Sequence, residues 1–136
     1  MSKMGCNCGS VIYDYDFPLP FKGRIIRDQQ VQNFVDRIAE DIAQFIKAKL
    51  NGKQHEWIAR QFTEAYAKAD LTDEEIVDEL VITYIFKNCL QIYQCEICSR
   101  VLIASRNDPN EFHSFLPDSE DSKDLLSLET EPRGND

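Results

Sequence analysis

Four of the five cysteines in this chain fall into two close pairs. Cys6 and Cys8 are separated by one residue in "GCNCGSVIYDYD" (residues 5–16), and Cys95 and Cys98 by two in "IYQCEICSRVLI" (residues 92–103). Thiolates are soft ligands that suit Zn²⁺, which takes four of them tetrahedrally in a closed structural site. The two stretches are therefore predicted to be halves of one zinc site.

Each half of that site must form a tight turn. Zn–S bonds of about 2.3 Å place ligand sulfurs less than about 4 Å apart, so neighbouring cysteines need a sharply bent backbone. Gly9, directly after Cys8, adopts a positive φ at little cost. Four protein ligands leave no open coordination position for water or substrate, so the metal is expected to be structural rather than catalytic.

Two other interpretations of the paired cysteines stay open. In a thioredoxin-type redox site the CxxC motif precedes a helix, whereas "CEIC" here precedes the strand-like "SRVLIA". The four thiols could also be buried without a ligand, which leaves their pairing to coincidence. The fifth cysteine, Cys89, is predicted to be a small core residue on a helix.

The elements that position the pairs are predicted from hydrophobic periodicity. Strands are expected in "SVIYDYD", "GRIIRD", "IYQC", "RVLIAS" and "EFHSFLP", with Pro18 and Pro20 ending the first. Between them the period changes to three and four residues, which predicts a helix from Gln29 to Leu50, with Asp28 as its cap and the "NG" of residues 51–52 as its stop. Its predicted core face consists of Val31, Phe34, Val35, Ile38, Ile42, Phe45, Ile46 and Leu50. Further helices are predicted over residues 54–69 and from a capping box at Thr72 onward.

These elements predict an α+β fold with a zinc ribbon, a small antiparallel sheet built from both chain ends. The ribbon halves are residues 1–28 and 92–116, and a bundle of about three helices, residues 29–91, is inserted between them. Residues 1–116 are expected to form a single domain. Residues 117–136, with seven acids and two bases, are predicted to be an acidic, flexible tail in which "LLSL" could dock as a short helix.

The charge distribution bears on partners. The formal net charge is −9, and residues 29–91 hold eleven acids against seven bases. No segment has the basic footprint that phosphate binding requires, so nucleic acid is not expected as a partner, and a basic protein is. The sequence also lacks the apolar stretches that a signal peptide or a membrane span requires, which predicts a cytoplasmic protein without membrane contact.

Catalytic motifs are not recognisable in the sequence. His55 and Glu56 open "HEWIA", but Ala59 stands where a zinc helix needs its second histidine. His113 is isolated, and no phosphate loop, nucleophile elbow or triad is present. The chain is therefore predicted not to be an enzyme.

The cysteine segments carry a family resemblance. "CNCGSVIYDYDFPLPFKGRIIRDQ", "IYQCEICSRVLI" and "FHSFLPD" resemble a family of small bacterial proteins with a split zinc ribbon, whose pattern is a CxCG knuckle, a helical insertion and a YxCxxCGRL knuckle. The family has glycine where this chain has Ser99, and a left-handed turn there costs a non-glycine residue about 1–2 kcal/mol. In size and acidity such proteins are similar to immunity proteins that neutralise bacterial toxins.

The functional prediction is thus a non-catalytic zinc-binding protein that acts by protein–protein interaction. Its most concrete form is an immunity protein whose acidic helical surface covers a basic toxin domain, because complementary charge speeds encounter. The alternative is an intracellular zinc-ribbon adaptor or regulator. The candidate contact residues are four acids of the third predicted helix: Asp73, Glu74, Asp78 and Glu79.

Overall fold

A computed structural model describes residues 2–119 and 123–128 and has the predicted α+β class. Its strands are β1 (Ser2–Gly5), β2 (Val11–Asp14), β3 (Lys22–Ile25), β4 (Leu90–Gln94), β5 (Val101–Ala104) and β6 (Phe112–Phe115). Its helices are α1 (Asp28–Leu50), α2 (Gln54–Gln61), α3 (Glu64–Lys68) and α4 (Asp73–Asn88).

The chain divides into two compact units. The cysteine unit comprises the chain up to Ile25 and again from Leu90, and the helical unit is Ile26–Cys89. The helical unit overlaps the predicted insertion, residues 29–91, with both boundaries a few residues earlier. That the two units belong to one domain stays a prediction.

Two antiparallel sheets form the cysteine unit. β1 and β2 pair as a hairpin, with Met4 opposite Ile12. The other four strands form a sheet in the order β3-β4-β5-β6, so that β4 and β5 are its inner strands. β1 was not predicted from the sequence, because "SKMG" is short and lacks the alternation that marked β2.

One hydrophobic cluster lies between the hairpin and the larger sheet. Its buried members are Cys6, Ile12, Tyr93, Cys95 and Leu102. Two of these five are members of the cysteine pairs, one from each end of the chain. The core of this unit is therefore built around the thiols themselves, and substitutions there affect packing as well as ligation.

A polar contact also joins β2 to the larger sheet. The carboxylate of Asp14 accepts hydrogen bonds from the Lys22 ammonium and, at 2.5 Å, from the Tyr93 hydroxyl. The hydrogen bond from Lys22 lowers the pKa of Asp14 although burial of the carboxyl acts in the opposite direction. Burial, followed by the bond to Asp14, raises the pKa of Tyr93.

The helical unit confirms the predicted caps at two of three places. Asn51 and Gly52, with φ +69°, end α1 as expected. Thr72 and Glu75 form the predicted capping box of α4, with N···O distances of 3.2 and 2.7 Å. At the start of α1 the prediction was wrong, because Arg27 is the N-cap residue and Asp28 is already helical.

The predicted helix over residues 54–69 is two helices. Thr63 interrupts it in extended conformation, and its hydroxyl accepts a hydrogen bond from the Tyr66 backbone, which begins α3. A threonine whose side chain competes for backbone donors favours a cap over a helix interior. The signal was present in the sequence as Thr63 followed by Glu64, an N-cap residue and a first-turn acid.

The core of the helical unit uses only part of α1. Phe45 is buried with Trp57, Ile58, Ile76 and Leu80. The other predicted core residues of α1 include four that are 42–83% exposed: Val31, Val35, Ile46 and Leu50. The periodicity correctly identified a helix but assigned it a wider buried face than it has.

The tail is described only at residues 117–119 and 123–128, so the predicted flexibility of residues 120–122 and 129–136 lies outside the described residues. Within 123–128 no helix forms, but the Leu125 amide donates to the side-chain oxygen of Gln94 at 2.8 Å. In the described part of the chain, no helix is both long and apolar enough to cross a membrane.

Candidate metal centre

Two hairpin loops carry the cysteine pairs. Cys6 and Cys8 lie in the loop between β1 and β2, where the Gly9 amide donates to the Cys6 carbonyl at 2.9 Å. Cys95 and Cys98 lie in the loop between β4 and β5, where the Ser99 amide donates to the Cys95 carbonyl, also at 2.9 Å. Each pair is thus held on a tight, hydrogen-bonded turn, as metal ligation requires.

The four sulfur atoms lie within 4.8 Å of one another. The shortest separations join the two hairpins: Cys6 Sγ lies 3.5 Å from Cys98 Sγ, and Cys8 Sγ lies 3.8 Å from Cys95 Sγ. Sulfurs bound tetrahedrally at about 2.3 Å from one ion are about 3.8 Å apart. The donor set and its spacing therefore fit a metal ion bound by four thiolates.

The hydroxyl of Ser10 lies between two of the sulfurs. Its Oγ atom is 3.0 Å from Cys8 Sγ and 3.1 Å from Cys95 Sγ, so it contacts one cysteine of each hairpin. A hydroxyl carries a single proton and donates to one thiolate at a time. Ser10 therefore contacts one candidate ligand from each hairpin, the position that outer-shell partners take at metal sites.

Backbone amides also point at the sulfurs. The Cys8 amide donates to Cys6 Sγ, and the Ser10 amide donates to Cys8 Sγ. Amides of Ile97 and Cys98 donate to Cys95 Sγ. Donors fixed by a turn stabilise negative charge on sulfur, so both loops are preorganised for thiolates.

The thiols differ in acidity before any metal is considered. Burial is the main cause that raises the pKa of Cys6 to about 12. Hydrogen bonds from Ser10 lower the pKa of the exposed Cys8 to about 6. At Cys95, burial is outweighed by the donors around its sulfur, and the pKa is lowered. Because the thiols do not all ionise at neutral pH, metal binding must release protons.

Arg100 supplies positive charge beside the site. Its guanidinium bonds to Cys98, which raises the pKa of Arg100, and it lies close enough to Cys6 and Cys8 for Coulombic attraction to their thiolates. A divalent ion with four thiolates has a formal charge of −2, which this guanidinium partly offsets. Neither Arg100 nor Ser10 was predicted as part of the site, although both lie within two residues of a cysteine.

The two loops each contain one residue in the left-handed region. Gly9 has φ +92°, as predicted, and Ser99 has φ +67°. Ser99 is the position where the resembling family has glycine. The second loop therefore adopts a conformation that costs a serine about 1–2 kcal/mol.

The other candidate residues lie outside the cluster. Asp73, Glu74 and Asp78 are exposed on α4, with Asp73 paired to Lys49, and the half-buried Glu79 bonds to Tyr66. Their role in partner contact stays a prediction. The Nε2 atom of the exposed His55 lies 3.4 Å from Oε1 of Glu64. His113 is exposed on β6, and Cys89 is the C-cap residue of α4.

Comparison with known families places residues 2–119 in a domain of unknown function, DUF8617, and the chain belongs to this family. The match spans both hairpins and the whole helical unit. No curated protein and no solved structure matches the chain. The metal-binding geometry is therefore the principal guide to function.

Proposed function

We propose that Cys6, Cys8, Cys95 and Cys98 bind one structural Zn²⁺ ion. The observation that carries this proposal is the meeting of four sulfurs from two distant hairpins within 4.8 Å. Hard cations prefer oxygen ligands, whereas an all-thiolate tetrahedral set suits zinc.

The ion's role would be to hold the fold. Its ligands come in equal number from the two hairpins, so its binding energy would stabilise their packing. With four positions filled by protein, none is open for substrate. The proposal is accordingly a non-catalytic protein.

Beyond the metal, we assign the protein a role in binding another protein, most concretely as an immunity protein for a basic toxin domain. The support is electrostatic: the chain has a net charge of −9, and Glu74 and Asp78 are exposed four residues apart on α4. An acidic surface attracts a positively charged partner and speeds its encounter.

Elemental analysis of the purified protein, with circular dichroism before and after chelation, tests the metal. We expect about one zinc per chain and loss of ordered structure on its removal. The matched control is Cys89→Ser, which alters a cysteine outside the cluster and should leave the zinc content unchanged. A stably folded protein without metal would refute the structural site.

Co-expression with toxin domains encoded beside the gene tests the immunity role. Protection of the host, lost when Glu74 and Asp78 are replaced by lysine, is the expected result. Binding to a host protein with no protection from any neighbouring toxin would instead favour the adaptor.

A further inference from the structure

A groove of about 200 Å³ runs beside the first hairpin. Ser10, Val11, Ile12 and Tyr13 line one side of it, and no residue of β1 does. Successive residues of a strand point to opposite faces, so a groove that touches four in a row follows the edge of the strand. The groove therefore lies along the edge of β2 that faces away from β1.

That edge has backbone groups available for pairing. Cys6 donates its amide to the Ser10 carbonyl at 2.8 Å, which makes these two residues a hydrogen-bonded pair of the hairpin. Pairs alternate along an antiparallel ladder, so Val11 and Tyr13 direct their N–H and C=O groups away from β1. Among the described residues no strand other than β1 pairs with β2.

Several of the side chains that line the groove are apolar and exposed. Val11, Tyr13 and Tyr15 are 45%, 47% and 65% exposed on the β2 side, and Ile97 is 77% exposed on the opposite side. Natural sheet edges are usually blunted by charge, proline or a covering element. An edge that keeps aromatic and branched side chains beside open backbone groups is suited to receive a strand.

A neighbouring depression already holds a backbone donor. A second depression, of about 220 Å³, shares Phe21, Gln94, Cys95 and Glu96 with the first, and its far side is the tail segment 123–127. There the Leu125 amide bonds to the side chain of Gln94. One main-chain N–H of a non-helical segment thus already bonds to a side chain that lines both depressions.

From these contacts we infer that the β2 edge binds an extended, cationic segment of a partner protein, which adds a strand beside Val11 and Tyr13. This inference rests on the proposed role in protein binding and names the binding mode. The partner is cationic because Glu96, the one acidic or basic side chain among the residues that line the groove, is negative. A second copy of the chain would bring the same negative charge to the interface and is disfavoured for that reason.

The probe is a short fluorescein-labelled peptide of alternating valine and lysine. Fluorescence anisotropy measures its binding to the zinc-loaded full chain. The control peptide has the same sequence with alternate backbone amides N-methylated. It keeps the charge but cannot complete the ladder, and we expect it to bind about tenfold more weakly or worse. Equal binding of both peptides would mean that charge alone holds them, and the inference would be wrong.

Two proline variants locate the edge. Tyr13→Pro removes an amide that faces the groove. Lys3 lies opposite Tyr13 on β1, and Lys3→Pro removes an amide that points away from β2 and from the groove. We expect about a tenfold loss for Tyr13→Pro and less than about a twofold change for Lys3→Pro. Unchanged binding by a folded Tyr13→Pro protein would overturn the inference, and if that variant does not fold, the N-methylated peptide decides.

Zinc content and sedimentation velocity separate the remaining outcomes. A protein that binds zinc but not the peptide would refute the β2 edge and leave the structural metal intact. Concentration-dependent dimers abolished by Tyr13→Pro would assign the edge to a second copy and refute the cationic partner.

Discussion

The two cysteine hairpins supply equal numbers of ligands to the proposed metal ion but are supported very differently. The second hairpin is formed by β4 and β5, the inner strands of the four-stranded sheet, and Cys95 at its turn is buried. The first consists of two strands of four residues each, and Cys8 at its turn is exposed. An isolated two-stranded hairpin is marginally stable in water. The first hairpin should therefore depend on the metal far more than the second.

Removal of the metal is expected to produce the largest difference between the two hairpins. After chelation, amide hydrogen exchange should accelerate by orders of magnitude in β1 and β2, because they lose the proposed metal link to the sheet. Exchange in β4 and β5 should rise much less. The double variant Cys6→Ser/Cys8→Ser should reproduce the pattern without chelator. Equal acceleration in all four strands would show that the sheet is no more self-sufficient than the hairpin.

Asp14 provides the second link between the first hairpin and the sheet. Replacement by asparagine leaves Lys22 and Tyr93 without their charged acceptor and should cost about 1.5–3 kcal/mol in unfolding free energy. Because the pKa of Asp14 is lowered in the folded state, this stability is present above the unfolded pKa and is lost as the pH falls through the folded one. Urea unfolding at neutral and acidic pH measures both effects.

The matched variant Tyr93→Phe removes one neutral donor to Asp14 and keeps the Lys22 pair, so it should cost only about 1 kcal/mol. If Asp14→Asn proves no more destabilising than Tyr93→Phe, the ion pair contributes nothing to the attachment of the hairpin.

Ser10 tests whether the first hairpin also orients the ligands of the second. Ser10→Ala removes the hydroxyl that contacts Cys8 and Cys95, and we expect zinc affinity to fall by about 10-fold or more. Competition with a chromophoric chelator measures the change. Ser99→Ala is a suitable control in the other loop, since the hydrogen bonds described for the four sulfurs do not include the Ser99 hydroxyl. An unchanged affinity for Ser10→Ala would limit its role to packing.

The smallest predicted effects have opposite signs in the two loops. Ser99→Gly should stabilise the protein by about 1 kcal/mol, since glycine adopts φ +67° without strain. Gly9→Ala should destabilise it by about 1–2 kcal/mol. A Cβ at Gly9 has no atom within 4 Å, so the cost is that of the backbone alone. Thermal unfolding of the zinc-loaded variants measures both, and a loss of stability in Ser99→Gly would show that the serine hydroxyl offsets its strain.

The sequence predicted the clustering of the four cysteines better than the elements around them. Paired thiols constrain their own geometry, because two cysteines one or two residues apart bind one ion only on a tight turn, and Gly9 marks such a turn. Likewise Thr72 and Glu75 identify the start of α4 by a contact between near neighbours. Predictions of this kind need no knowledge of the remaining chain.

The sequence-based predictions failed where distant contacts or weak local signals determined the structure. β1 lacks a strand-like pattern and becomes a strand by pairing with β2. Thr63 divides a predicted helix, a local cap signal outweighed by the periodicity around it. Val31 and Val35 follow the helical period of α1 yet are exposed. Hydrophobic periodicity describes which face of a helix is apolar, and the packing of other elements determines how much of it is covered.

The amino-acid sequence by itself determined the two cysteine pairs, the α+β class and the acidic character of this protein, because residue type and short-range spacing fix each of them. Only the tertiary structure decided that Ser10 contacts both cysteine pairs, that Asp14 joins β2 to Lys22 and Tyr93, and that β2 keeps an open edge beside a groove. These features depend on side-chain pairings between residues up to 85 positions apart, which meet where the first hairpin packs against the larger sheet. No local pattern records such pairings, since their energy comes from contacts that exist only in the folded chain.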